Sequence, residues 1–189
     1  YITPTTRTVM DTALMLEAMS GWPPCDVHSF GAPTTGFAEA ASGRGDLAGI
    51  RVAWRPFLAN TVIDSEVRAM CEAAARTLGD LGATMSDMAD DMEPTEPVWL
   101  VLSTALWKAR FSHELPKWRE RMSPTLLRQM EGGASHTAED VARANLARTR
   151  IYRQVQGWFE KVDIIAMPTL SRTALAIEER LSEPIEIEG

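Results

Sequence analysis

Ile50-Arg51-Val52-Ala53-Trp54-Arg55-Pro56, then Asp64-Ser65-Glu66-Val67-Arg68-Ala69-Met70-Cys71, then Leu81-Gly82-Ala83-Thr84-Met85-Ser86-Asp87-Met88: these three pieces decide the fold class. Ile50 to Trp54 predicts a strand that Pro56 ends, because proline cannot donate to a ladder. Asp64 to Leu81 predicts a helix. Asp64 can cap it, Glu66 sits in its first turn, and Val67, Met70, Cys71, Ala74, Leu78 and Leu81 recur at helical spacing. Gly82 is the expected stop, and Ala83 to Met88 predicts a second short strand. Strand, helix and strand in succession make a βαβ unit with parallel strands and a right-handed crossover.

Upstream, Thr8-Val9-Met10-Asp11 has the spacing of a capping box and opens a helix from about Thr8 to Ser20. Val9, Met10, Ala13, Leu14 and Leu16 give that helix a broad apolar face, and Gly21 with Pro23-Pro24 stops it. Residues 22–49 read as one long loop rich in Gly, Pro, Ser and Thr. Downstream, Asp87, Asp90, Asp91, Glu93 and Glu96 read as an acidic, exposed linker. Helices are expected over Glu96 to Ser112, Leu115 to Glu131 and Thr137 to Glu160. Thr137-Ala138-Glu139-Asp140 is a second capping box, and Ala144, Ala147, Ile151, Val155 and Trp158 line one stripe of the last helix. The run Val162 to Met167 reads as a strand buried on both faces and ended by Pro168. The fold class is therefore α/β, mostly helical, with a small parallel sheet of strands near 50–54, 83–88 and 162–167, the first of them central. The chain is expected to be a single partial domain. Residues 1–49 carry the first helix and long loop, 50–93 the βαβ unit, 94–160 a helical cover and 161–189 a strand with an acidic tail.

The 189 residues are long enough to bury a core, and 45% hydrophobic with 24% charged content argues against disorder. Nineteen basic against 26 acidic residues give a net charge of −7, which disfavours nucleic acid as a partner. No apolar run approaches the roughly 20 residues of a membrane helix. Cys25 and Cys71 make no disulfide framework, so a reducing, cytoplasmic setting is expected. His28, His113 and His136 lie far apart without metal-ligand spacing. No pattern asks for a metal or a cofactor. A chain that opens at Tyr1 and stops at Gly189 reads as a piece of something longer.

Candidate chemistry is sparse. Gly43-Arg44-Gly45-Asp46-Leu47-Ala48-Gly49 precedes a strand and opens no helix, so an ordinary loop explains it better than a phosphate cradle. His28 and His113 could act as bases, but no spacing supplies a partner, and surface histidines are the plainer reading. Ser112 lies four residues after Lys108 and can touch it, whereas Ser103 lies off the meeting faces. A nucleophilic serine also needs an oxyanion site, and nothing nearby suggests one. The basic run Lys108, Arg110, Lys117, Arg119, Arg121 and Arg128 is a solvated helix face. Segment 98–111 is apolar nearly all round. Such a helix is buried on every side, or faces a ligand cavity or a partner. Trp99, Trp107 and Phe111 are therefore pocket candidates, with plain core packing as the alternative.

Three anchors, in order, resemble the amidase signature family. Thr6-Arg7-Thr8-Val9-Met10-Asp11-Thr12-Ala13-Leu14-Met15-Leu16 resembles its RTV-x-D-A-A-L-L-L helix. Leu47-Ala48-Gly49-Ile50-Arg51-Val52-Ala53-Trp54, with Val62-Ile63-Asp64-Ser65-Glu66-Val67 and Leu81-Gly82-Ala83, resembles its L-x-G-L-R-I-A-W, V-D-P-E-V and L-G-A block. Val162-Asp163-Ile164-Ile165-Ala166-Met167-Pro168-Thr169 resembles its F-D-V-L-L-T-P-T strand. Two departures are visible: Thr3-Pro4-Thr5-Thr6 in place of a Gly-Pro entrance, and Leu170-Ser171-Arg172 where many members carry another proline. The resemblance implies a mixed sheet flanked by helices and amide hydrolysis by a Ser–cis-Ser–Lys triad in a Gly-Ser-rich stretch. That stretch lies upstream of the first anchor, and no residue of this chain corresponds to it. The chain is then expected to supply scaffold and pocket to an amidase without its catalytic residues. Pro168 and Thr169 join the pocket candidates because their loop borders the family's substrate cavity. The expected partner is a small-molecule amide. The alternatives are part of a related enzyme that transamidates charged tRNA, or a non-catalytic binding module. With the upstream core gone, Val9, Leu14, Leu16 and a sheet edge should be exposed. The chain would then dimerise, swap an element or refold its first helix, with Trp22 and Phe30 as candidate covers.

Overall fold

A computed structural model of the chain describes residues 3–23, 25, 35–43, 46–57, 62–88, 92–179 and 186–187. It divides into two units, 1–47 and 48–189. Pro24, His28, Phe30, Asp90, Asp91 and most of the acidic tail lie outside the described residues.

In the first unit, helix α1 spans Val9–Met19. Its start is set as the sequence suggests: the Thr8 hydroxyl accepts the Asp11 backbone N–H at 3.1 Å. The long-loop reading misses a second helix, α2, over Phe37–Ala41. Gly36 precedes α2 at φ +87°, a conformation that glycine adopts without strain. Glu17, on α1, caps it from a distance: its Oε1 accepts the N–H groups of Gly36 at 3.1 Å and Ala38 at 3.3 Å. A five-residue helix gains little from propensity and is held by this carboxylate, a contact 19 and 21 residues apart that no local pattern carries.

The second unit contains the sheet. Strands β1 (Arg51–Trp54), β2 (Thr84–Asp87) and β3 (Ile164–Ala166) are all parallel, in the order β2-β1-β3. The central position of β1 and both parallel pairings match the expectation from sequence. Val52 and Ala53 point to opposite faces and are both buried, at 1% and 0% exposure, as in a strand covered on two sides. The two-sided burial expected of 162–167 does not hold. Val162 is buried but precedes the strand, Ile164 is 47% exposed, and Ile165 and Ala166 are half-buried. Among the described residues β3 is an edge strand, with a neighbour on one side only.

Helix α3 (Ser65–Asp80) links β1 to β2. Asp64 Oδ1 accepts the Glu66 N–H at its start. Its end is a Schellman turn: Gly82 stands at φ +100°, its N–H donates to the Gly79 carbonyl, and the Ala83 N–H reaches back to Leu78.

Helix α4 runs Glu96–Phe111. The single helix expected over 115–131 is broken in the structure. A 3-10 turn at 112–114 leads into α5 (Leu115–Trp118), a second turn covers 119–121, and α6 begins afresh at Pro124 and ends at Gly133. The break lies at Met122-Ser123-Pro124. Proline disfavours helical geometry at the residue before it, and Ser123 is extended (ψ 142°), its hydroxyl accepting the Leu126 N–H at 3.2 Å. Helix α7 (Ala138–Phe159) has the full reciprocal capping box of Thr137 and Asp140. Ala144, Ala147 and Trp158 of its predicted stripe are buried, and Ile151 and Val155 are half-buried. Glu93 of the acidic linker is tied to α7: Arg150 donates to both of its carboxylate oxygens, at 2.6 and 3.1 Å.

The N-terminal ends of β1 and β3 are joined by charge. The Arg51 backbone N–H and Nε both donate to Asp163 Oδ2, at 2.9 and 3.1 Å, and Nη2 donates to Oδ1 at 2.8 Å. The Arg51 guanidinium and amide hold the Asp163 carboxyl at about 2, below the ordinary 3.8. A depressed carboxylate stabilises the fold above its unfolded value, and that stabilisation is lost as pH falls through the folded value. Urea midpoints measured from pH 5 down to about 2 should therefore fall less steeply for Asp163→Asn than for the parent chain over the lower part of that range. Parallel curves would show that the pair has no part in acid stability.

Candidate functional site

The carboxyl ends of parallel strands open onto the edge where α/β folds carry their ligands. Here that edge gathers residues from three segments. The Arg55 backbone N–H donates to the Ala166 carbonyl at 2.9 Å, so the chain leaving β1 stays beside the end of β3. Pro168 and Thr169 follow two and three residues after Ala166, half-buried and exposed respectively. The Asp64 N–H donates to the Ser171 carbonyl at 2.8 Å, which returns the post-β3 segment to the start of α3. On the other flank the Met88 N–H donates to the Trp54 carbonyl at 3.1 Å.

Arg55 is the feature of this edge that sequence reading misses. Its side chain is buried, at 6% exposure, with the guanidinium 4.6 Å from the ring centre of Trp158, itself 5% exposed. Arg55 Nε and Nη1 are buried without a hydrogen-bond acceptor. Trp-Arg-Pro looks like the end of a strand and nothing more. The available signal is an arginine directly after a strand apolar on both faces, where a charge is hard to keep in water.

The other candidates lie apart from this group. Trp99, Trp107 and Phe111 sit on α4, which packs on α6 and α7. Burial on every side of that helix, as the plain core reading requires, is not what the structure shows. Thr104 is its one fully buried residue, Trp107 and Phe111 are half-buried, and Trp99, Leu100 and Leu106 are 55%, 42% and 60% exposed. Two covering helices occupy one side of α4 and leave the rest open. Where α4 meets the end of α6 the approach is close: a Cβ built on Gly133 would lie 2.2 Å from the Thr104 carbonyl oxygen. The Thr104 hydroxyl donates to the Leu100 carbonyl at 2.6 Å, so its contact with His136 Nε2 at 3.1 Å requires the imidazole to donate. Neither Gly133 nor this pair is legible as a contact in the sequence.

The serine and lysine candidates do not form a nucleophile and base. The Ser112 hydroxyl donates to the backbone carbonyl of Lys108 at 2.5 Å, and that of Ser103 donates to the Leu100 carbonyl at 3.4 Å. His113 is an exposed residue paired with its neighbour Glu114 at 3.2 Å. Among the described residues there is no cluster of three or more His, Cys, Asp and Glu side chains suited to a metal ion, and no helix long and apolar enough to cross a membrane.

Comparison with known proteins identifies the family. A family model described as amidase matches residues 1–188. An acylamidase of Rhodococcus erythropolis is 31% identical over 185 residues, covering 95% of this chain and 38% of the relative. The A-type subunit of a glutamyl-tRNA(Gln) amidotransferase from Geobacillus stearothermophilus is 25% identical over 209 residues, covering 97% of this chain and 43% of that protein. In architecture, the crystal structure of a bacterial aryl acylamidase of the amidase signature enzymes matches with a TM-score of 0.78 at 19% identity, over 97% of this chain and 40% of that one. The chain thus spans less than half the length of these proteins, and the three anchor segments and the parallel β2-β1-β3 sheet agree with the match along nearly its whole length. The chain belongs to the amidase family.

Proposed function

We propose that the chain is a scaffold and pocket-forming part of an enzyme that hydrolyses carboxylic amides to an acid and ammonia or an amine. The observation that carries this reading is the 31% identity to an acylamidase over 95% of the chain. In this reading the Ser–cis-Ser–Lys triad lies outside the 189 residues, since no Gly-Gly-Ser-Ser stretch occurs in them and Ser112 and Ser103 give their protons to helix carbonyls. Trp99, Trp107 and Phe111 on α4, with Pro168 and Thr169 at the sheet edge, are its substrate-facing residues. The partner is a small amide, and the setting is cytoplasmic. Exposed Val9 (76%) and Leu14 (52%) on α1 support self-association through apolar surface, while Leu16 is half-buried and Trp22 is 71% exposed.

The purified chain should release no nitroaniline from acyl nitroanilides above the buffer rate. Turnover by the chain that Ser112→Ala abolishes would overturn the assignment of the triad elsewhere. A second reading, a part of the A-type component of a tRNA-dependent amidotransferase, is favoured by the 25% identity to the Geobacillus protein. Ammonia-dependent conversion of glutamyl-tRNA by the longer enzyme with its partner subunits, in place of simple amide hydrolysis, would decide for it.

A further inference from the structure

Arg55 carries its positive charge on a side chain that is almost entirely buried. Its exposure is 6%, and two of its three guanidinium nitrogens have no acceptor. Burying a charge that lacks hydrogen-bond acceptors is costly even after relaxation. The Trp158 face, 4.6 Å from the guanidinium, recovers only part of that cost through a cation–π contact. The residue also stands at the carboxyl end of the central parallel strand, the place where this class of fold holds ligands. An unsatisfied buried cation there describes the binding half of an ion pair.

The missing half is an anion, and the surroundings restrict its chemistry. One guanidinium supplies one charge. The Trp158 ring lies 4.6 Å from its centre, and the whole chain carries −7. A phosphate dianion is held by several cations or a nest of backbone amides, more than one guanidinium supplies. A planar monoanion with an apolar body suits one guanidinium stacked on an indole. We infer that Arg55, seated on Trp158, is a receptor for a single carboxylate at the carboxyl edge of the sheet. A small organic acid and an Asp or Glu side chain of a polypeptide both carry that group; the chemistry is shared and the test separates the two. The inference stands on the buried guanidinium, two of whose nitrogens lack an acceptor, and does not rest on amide hydrolysis.

Thermal unfolding of the 189-residue chain provides the test, with benzoate and with the side-chain carboxylate of N-acetylglutamic acid α-amide as probes, in chloride of matched ionic strength. Without a probe, Arg55→Met should melt above the parent, because an apolar side chain of similar length replaces an unpaired charge. With a probe, the parent's Tm should rise along a saturating curve, as expected for a ligand that binds only the folded state. Arg55→Met should lose at least tenfold in apparent affinity, and Arg55→Lys should keep part of it. Saturation at tenfold lower benzoate than glutamyl amide assigns a small acid, and the reverse order assigns a side chain. Three results overturn the inference: an Arg55→Met chain that melts below the parent without a probe, equal probe responses in parent and Arg55→Met, or no saturating response to either probe.

Discussion

Trp158→Ala should lower the unfolding free energy of the chain by about 3–5 kcal/mol, the range for truncating a buried aromatic. Trp158 ends the stripe that seats α7, is 5% exposed, and lies against the Arg55 guanidinium. Its carbonyl accepts the Lys161 N–H at 2.9 Å, in the turn that leads to β3. Removing the indole leaves a void beside a charge. Water entering that void would solvate Arg55 and recover part of the loss, so the cost should grow when the charge is absent as well. Urea unfolding of Trp158→Ala, Arg55→Met and the double variant measures both terms. The double variant should be less stable than the sum of the two single changes, provided that the slope of the transition is unchanged. A loss below about 1 kcal/mol for Trp158→Ala would mean that the site collapses around the missing ring.

Gly133→Ala should destabilise the chain by about 2–3 kcal/mol, or more if the helices cannot part, while Gly132→Ala next to it should be neutral or slightly stabilising. Both glycines lie in the last turn of α6. The new methyl group at 133 would stand 2.2 Å from the Thr104 carbonyl oxygen and 2.6 Å from its carbon, so backbone must move. At 132 nothing lies within 4 Å, and alanine simply restricts the unfolded chain. The pair separates a steric effect from helix propensity, which acts alike at both. Equal unfolding midpoints for the two variants would show that α4 and α6 part without cost. A loss at 133 should also release the His136–Thr104 contact, visible as a shift of the His136 ring resonances.

The sequence by itself determined those elements whose cause is local. Thr8, Asp64 and Thr137 cap helices because a hydroxyl or carboxylate two or three residues ahead of an amide can reach it whatever the rest of the chain does. Gly82 ends α3 because the left-handed turn needs a residue without Cβ. The order β2-β1-β3 is legible because a helical crossover makes β1 and β2 parallel, and because Val52 and Ala53 are apolar on both faces. The resemblance of their strand to a known family puts Pro168 and Thr169 at the sheet edge, and the structure brings that strand's end beside Arg55. The break at Ser123-Pro124 is also local, but the apolar spacing of 115–131 runs across it and hides the proline's effect.

The tertiary structure alone decided what depends on residues far apart in the chain. Glu17 makes α2 by capping it from 19 and 21 residues away. β3 is an edge strand because, among the described residues, no fourth strand pairs with it, which no property of Ile164 or Ile165 reveals. Gly133 matters through Thr104, and α4 keeps Trp99 and Leu106 in solvent because its covering helices occupy one side. The largest such gap concerns Arg55. Whether an arginine after a strand reaches water or is sealed beneath a tryptophan about a hundred positions later is settled only when α7 closes over the sheet edge. A charge shows its need for a partner only once its solvent has been removed.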